Sequence, residues 1–98
     1  MNFILLIGRI KEMPNFEQTN NGLTFCHLLI ETMPTDEKQP ETYSVTLWKT
    51  ASDLLKEKGS KGAQVCIKGR LRANNFVKED GTTNYRAELV ADKILFIN

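Results

Sequence analysis

Apolar residues recur along this chain mostly at strand spacing, with one interruption at helix spacing. Phe3-Ile4-Leu5-Leu6-Ile7 is a continuous apolar run ending at Gly8, of strand length and half β-branched or aromatic. Glu17 to Gly22 reads as a turn, because Asn21-Gly22 supplies residues that accept positive φ. Leu23 to Thr32 predicts a second strand, with Cys26, Leu28 and Ile30 on one face and Phe25, His27, Leu29 and Glu31 on the other. Apolar residues on both faces predict a strand covered twice, by the core and by a partner chain. Pro34 to Glu41 is polar and bracketed by prolines, which predicts an exposed loop. Thr42 to Trp48 alternates strictly: Tyr43, Val45 and Leu47 share one face, and Ser44, Thr46 and Trp48 share the other. The period then changes. Thr50 to Gly59 carries a capping-type Ser or Thr, adjacent leucines, lysines near its end and a terminating glycine, so it predicts one short helix. Ala63 to Phe76 is the fourth strand, with Val65, Ile67 and Leu71 toward the core and Gly69 where a barrel strand bends or bulges. Val77 to Thr82, containing Asp80-Gly81, is a hairpin tip. Thr83 to Ile97 returns as the fifth strand, with Tyr85, Ala87, Leu89 and Ala91 on one face.

Three strands, a short helix and two strands fill 98 residues without a repeat, a low-complexity segment or a linker, which predicts one domain over residues 1–98. The order suits an all-β, five-stranded Greek-key barrel of the OB-fold type, with its helix between strands 3 and 4. A different small β-barrel or an α+β sandwich also fits the spacing.

A hydrophobic fraction of 41% with 26% charged residues is globular composition. The longest apolar run, Phe3 to Ile7, is too short to span a bilayer or to form a secretory signal, so a cytoplasmic, nucleoid-associated protein is expected. Cys26 and Cys66 lie far apart inside apolar segments, with His27 the only other soft ligand. They read as two buried thiols, and no metal or cofactor is expected.

The formal charge of +1 hides an asymmetry. Residues 12–42 carry six carboxylates against Lys38, a balance of −5, whereas residues 49–78 carry eight cations against Asp53 and Glu57, a balance of +6. In a regular fourth strand Lys68, Arg70, Arg72 and Phe76 share the parity opposite the core, and Trp48 likewise leaves the outer face of its own strand. A bulge at Gly69 would shift this register. A row of cations with exposed rings suits single-stranded nucleic acid: cations meet phosphates and rings stack on bases. The same residues also fit a solvated face, with Trp48 and Phe76 packed under a loop or in an oligomer contact.

The ordered motifs resemble one family. Met1-Asn2-Phe3-Ile4-Leu5-Leu6-Ile7-Gly8-Arg9-Ile10 resembles the M-N-x-V-x-L-x-G-R/N-L opening of bacterial single-stranded DNA-binding proteins (SSB), and Asn21-Gly22 before an apolar strand resembles their second-strand entry. Val45 to Ala51 resembles V-x-x-[FW]-G-K-x-A with the glycine missing. Lys58 to Leu71 resembles K-K-G-S-x-V-x-V-x-G-R-L with two residues inserted, and Asp80-Gly81 with Tyr85 to Leu95 completes the likeness. The resemblance implies an OB-fold that binds single-stranded DNA as a homo-oligomer, usually a tetramer, with a dimer as the smaller possibility. It implies Trp48 and Phe76 as stacking residues and Arg72 and Lys49 as basic residues near the DNA. Arg9, Lys68, Arg70 and Lys78 rest on the parity and loop arguments. Many family members carry a tryptophan six residues before the Trp48 position, where this chain has Thr42. Tyr43 could stack instead, but its parity groups it with Val45 and Leu47. SSB proteins normally continue into a flexible linker and an acidic tip that recruits replication and repair enzymes. This sequence stops at Asn98, so such partners are expected to lack an acidic-tail contact. The primosomal replication protein N family, a single OB-fold of this size, is a second resemblance.

Catalysis has little to stand on: one histidine, no phosphate-cradling glycine motif and no paired carboxylates. The expected role is sequence-tolerant binding and protection of single-stranded DNA in replication, recombination or repair. The alternative is an adaptor acting through protein contacts, with Trp48 and Phe76 buried against a partner.

Overall fold

Each long alternating segment turns one face into a shared interior, and a barrel results because the first long strand pairs back onto the second. The computed structural model describes residues 1–32 and 39–97. The elements are β1 (Ile4–Glu12), β2 (Phe16–Gln18), β3 (Thr24–Thr32), β4 (Glu41–Trp48), α1 (Thr50–Lys58), β5 (Gln64–Ala73), β6 (Phe76–Val77), β7 (Thr83–Asn84) and β8 (Ala87–Ile97). The main sheet runs β1-β5-β8-β4-β3-β2, and β1 pairs back onto β3. That second pairing closes β1, β3, β4, β8 and β5 into a five-stranded OB-fold barrel. Only β4–β8 is parallel among its strand pairs; β6 and β7 form a separate hairpin. No helix among the described residues is long and apolar enough to cross a membrane.

The interior holds Ile10, Cys26, Leu28, Ile30, Val45, Leu47, Val65, Ile67, Ala91 and Ile94, and Leu55 of α1 is buried with them. Each fully buried aliphatic side chain contributes about 1.5–3 kcal/mol. Helix α1 buries Ala51, Ser52 and Leu55, one stripe at helical spacing, and packs against β3, β4 and β8. Burial pushes the Cys26 thiol up from its ordinary value.

Several expectations change in three dimensions. Gly8 does not end the first strand, which runs on to Glu12. A Cβ at Gly8 would lie 2.5 Å from the Glu31 carbonyl oxygen, so glycine lets β1 approach β3 where the barrel closes. The predicted turn over Glu17–Gly22 begins later, since Phe16–Gln18 pair with Thr24–Cys26. Positions 34–38 of the predicted loop lie outside the described residues, and Glu41 already belongs to β4. No Ser or Thr caps α1; Lys49 occupies the cap position and makes no side-chain cap bond.

The fourth strand stops at Ala73, so Phe76 belongs to β6 and not to the regular run assumed for its parity. Leu71 keeps the core parity but is 44% exposed, because it lies beyond the end of the core. Tyr85, expected to share a face with Leu89 and Ala91, is 78% exposed and precedes β8. Cys66 is only half-buried, on the outer side of β5. The irregularity near Gly69 is real but lies on the partner strand. Lys68 pairs with Lys93 and Gly69 with Ala91, so Asp92 is the extra residue. The β5 parity is preserved, while β8 changes its inward set from Leu89 and Ala91 to Ile94 and Phe96. A Cβ at Gly69 would lie 2.0 Å from the Val90 carbonyl oxygen, so only glycine fits beside this bulge.

Candidate nucleic-acid interface

Strand register assembles the outer face of β3, β4, β8 and β5 into cross-strand rows. Phe25 faces Trp48 across β3–β4, and the two rings stack at 4.9 Å with an interplanar angle of 29°. His27 meets Phe25 edge-on at 5.8 Å. In the adjacent row His27 pairs with Thr46, Thr46 with Val90, and Val90 with Arg70. The next row brings Glu88 of β8 opposite Arg72 of β5. An open depression of about 490 Å³ lies where Trp48, Lys49, Arg70 and Arg72 converge.

Lys49 reaches this depression through an unusual backbone. Its φ is 52° and ψ is −119°, the one positive φ among the described residues other than glycine. Its N–H donates to the Thr24 carbonyl at 2.7 Å, and Asp53 N–H donates to the Lys49 carbonyl at 2.9 Å. The Thr24 hydroxyl donates to Asp53 Oδ1 at 2.8 Å, which ties β3 to the first turn of α1. These bonds hold Lys49 in a conformation that glycine ordinarily supplies.

A polar chain crosses the same face. The buried Thr46 hydroxyl donates to Glu88 Oε2 at 3.0 Å and lies 3.0 Å from His27 Nδ1. A hydroxyl has one proton to give, so donation to Glu88 makes Thr46 the acceptor and assigns a proton to His27 Nδ1. Glu88 Oε1 faces Arg72 Nη1 at 4.0 Å.

The remaining expected residues do not all join this cluster. Phe76 and Lys78 are exposed on the β6–β7 hairpin. There the Arg86 guanidinium lies 4.7 Å from the Phe76 ring centroid. At the hairpin tip Asp80 Oδ1 accepts from the Thr82 hydroxyl at 2.6 Å and from its N–H at 3.0 Å. The hydroxyl bond first, and then the backbone bond, hold the Asp80 carboxyl below its ordinary value. Lys68 keeps its outward position, but its ammonium rests 5.6 Å from the centre of the Phe3 ring. Arg9 donates to the Gly62 carbonyl at 3.1 Å and pairs with Gln64, at the opposite end of β5 from Arg72.

Two contributors were not singled out from the sequence. Phe25, assigned there to a partner contact, completes the Trp48 stack, and the β3–β4 register needed to see this depends on where the pairing starts. Arg86 covers Phe76 across the β6–β7 hairpin, whose Asp80-Gly81 tip is signalled locally but whose register is not. Tyr43 is half-buried against the core, as its parity predicts, and its hydroxyl donates to Glu41. That bond and the Glu41 charge raise the Tyr43 phenol above its ordinary value.

A second outer face lies on β1, the first half of β5 and the second half of β8. Ile7, Cys66 and Leu95 form one cross-strand row, flanked by Leu5 and Ile97. Leu5 and Ile7 are each 54% exposed and Leu95 is 64% exposed, in a region with little charge besides Lys68, Lys93 and Arg9.

The sequence pattern of the Single-strand binding protein family matches residues 1–97. Single-stranded DNA-binding protein of Oceanobacillus iheyensis is 26% identical over 102 aligned residues, covering 99% of this chain and 63% of that protein. Single-stranded DNA-binding protein 2 of Staphylococcus aureus is 28% identical with 72% of its length covered, and single-stranded DNA-binding protein B of Bacillus subtilis is 24% identical with 90% covered. The chain therefore spans under two-thirds of the first relative and most of the other two.

Proposed function

This chain belongs to the single-strand binding protein family, and on that premise we propose that it binds single-stranded DNA with little regard for base sequence. The observation that carries this reading is the Phe25–Trp48 stack beside Lys49, Arg70 and Arg72. Unstacked bases need ring faces, each worth about 1–3 kcal/mol, and the strand backbone needs cations spaced along it. Phe76, Arg86 and Lys78 extend the track onto the β6–β7 hairpin, where a base enters only by displacing or sandwiching the Arg86 guanidinium. Lys68 and Arg9 are peripheral to this path. Duplex DNA binds poorly on this account, because its bases are already stacked. The cellular role that follows is protection of exposed single strands during replication, recombination or repair, in the cytoplasm at the nucleoid.

Oligo-dT titration followed by the fluorescence of Trp48, the one tryptophan, tests the reading. The expected result is quenching that weakens with salt, with a log–log slope of about −0.7 per phosphate neutralised. Binding without quenching removes stacking from the account. No binding even at low salt rejects DNA binding and leaves the protein-contact adaptor.

Self-association is the second part of the proposal. An exposed apolar row at Ile7, Cys66 and Leu95 suits burial against a second copy. This relocates the partner contact expected at Phe25 and Leu29. Phe25 has an intramolecular partner in Trp48, whereas the β1–β5–β8 face has none among the described residues. A dimer or tetramer in sedimentation at micromolar concentration is the expected result, and a monomer contradicts it.

A further inference from the structure

Glu88 is a carboxylate in the middle of a face otherwise suited to attract phosphate. The groups facing it are Arg72 on β5, Thr46 on β4 and, through Thr46, His27 on β3; Arg70 is the next cation along β5. It is not free to turn away. Glu88 Oε2 accepts from the Thr46 hydroxyl at 3.0 Å, and that hydroxyl is buried and held in turn by His27 Nδ1. A chain of donors each fixed by the next polarises toward the carboxylate and keeps its other oxygen aimed at Arg72. Arg72 is differently placed. Its nearest nitrogen is 4.0 Å from Glu88 Oε1, and its side chain is 56% exposed against 31% for Glu88. The acid is anchored and the guanidinium is loosely held.

Resting on the DNA-binding reading above, we propose that Glu88 is a positioning residue that occupies Arg72 in the free protein. A DNA phosphate must then take the guanidinium from a fixed competitor. A solvent-exposed pair at this distance is weak enough to exchange, and a phosphate offers the guanidinium the bidentate geometry that the pair lacks. Because Thr46 keeps hold of Glu88, the carboxylate cannot follow Arg72 onto the DNA, and it re-forms the pair when the strand leaves. The consequence is a binding face whose affinity is held below what its cations alone would give, and whose bound strand is released more readily.

The test is a two-by-two set: the native chain, Glu88→Gln, Arg72→Ala and the double variant, each titrated with oligo-dT across a salt series. Glutamine keeps the size of the side chain and an oxygen to accept from Thr46 while removing the charge. Glu88→Gln is expected to bind about two- to fivefold more tightly at fixed low salt, the range set by exposed ion pairs. Its log–log salt slope is expected to stay close to that of the native chain, because Arg72 meets a phosphate in the bound state of both. In the Arg72→Ala background the same change is expected to do little. An equal gain in both backgrounds overturns the proposal, because Glu88 then acts only as a general repulsive charge. An unchanged or weaker affinity for Glu88→Gln, with the native chain binding normally, overturns it while leaving DNA binding intact. Failure of the native chain to bind overturns both.

Discussion

The two outer faces of this barrel share strands β5 and β8 and have opposite chemistry. Along β5, Gln64 and Cys66 belong to the apolar face, and Arg70 and Arg72 belong to the cationic one, with Lys68 at the seam over Phe3. Along β8 the bulge at Asp92 separates Glu88 and Val90 from Leu95 and Ile97. One face joins its charges to β3 and β4, which bring Phe25 and Trp48. The other joins Leu95 to β1, which brings Leu5 and Ile7. The lesson is physical. An apolar face is buried at low cost against another protein surface, whereas a face carrying two arginines is not, since each would lose its hydration. The same arginines keep an attraction for phosphate in water, especially at low salt. On the proposed function, this division gives DNA and a second copy separate faces of one barrel.

Three substitutions test that division. The largest effect is expected from Ile7→Glu, at the centre of the apolar row. A carboxylate buried there without a partner costs about several kcal/mol, and a two-fold interface would contain it twice. Sedimentation velocity is expected to show a monomer, with quenching of Trp48 by short oligo-dT retained. An unchanged assembly would mean that copies meet elsewhere. Next in size is Trp48→Ala, expected to weaken oligo-dT binding about 5- to 150-fold, the worth of one stacked base. Its assembly should stay the same, and a change in sedimentation would blur the two faces into one.

Lys49→Gly is the smallest and moves two quantities in opposite directions. Glycine adopts the positive φ of this position without strain, which favours folding by about 1 kcal/mol after its own chain entropy is set against it. A thermal melt should rise by a few degrees, while the salt slope of DNA binding becomes shallower by about 0.7. A lower melting temperature would show that Lys49 is not strained.

Much of this was legible in the chain. The inward sets of β3 and β4 follow from alternation alone, because a residue's side of a strand depends only on its own parity. Helix α1 was legible for the same kind of reason, as was the hairpin tip at Asp80-Gly81. The outward placement of Trp48, Lys68, Arg70 and Arg72 also survived, since the bulge fell on β8 and left the β5 parity intact. Parity gives the direction of Leu71 and Tyr85 but not their depth, and both lie past the end of the core. Parity does not carry over to Phe76, because Asn74 and Asn75 interrupt the strand before it.

By itself the sequence determined which side chains of β3, β4 and β5 point inward, where the one helix falls, and that positive charge concentrates between residues 49 and 78. These are local properties, set by backbone periodicity within a few residues. Only the tertiary structure decided that Phe25 lies on Trp48, that Arg86 covers Phe76, and that Glu88 stands opposite Arg72 while anchored through Thr46 to His27. It also decided that Ile7, Cys66 and Leu95 form one row. Such neighbours come from different strands. Their meeting depends on register, on the closure of β1 onto β3 and on a single extra residue at Asp92, none of which is encoded by the spacing within any one strand.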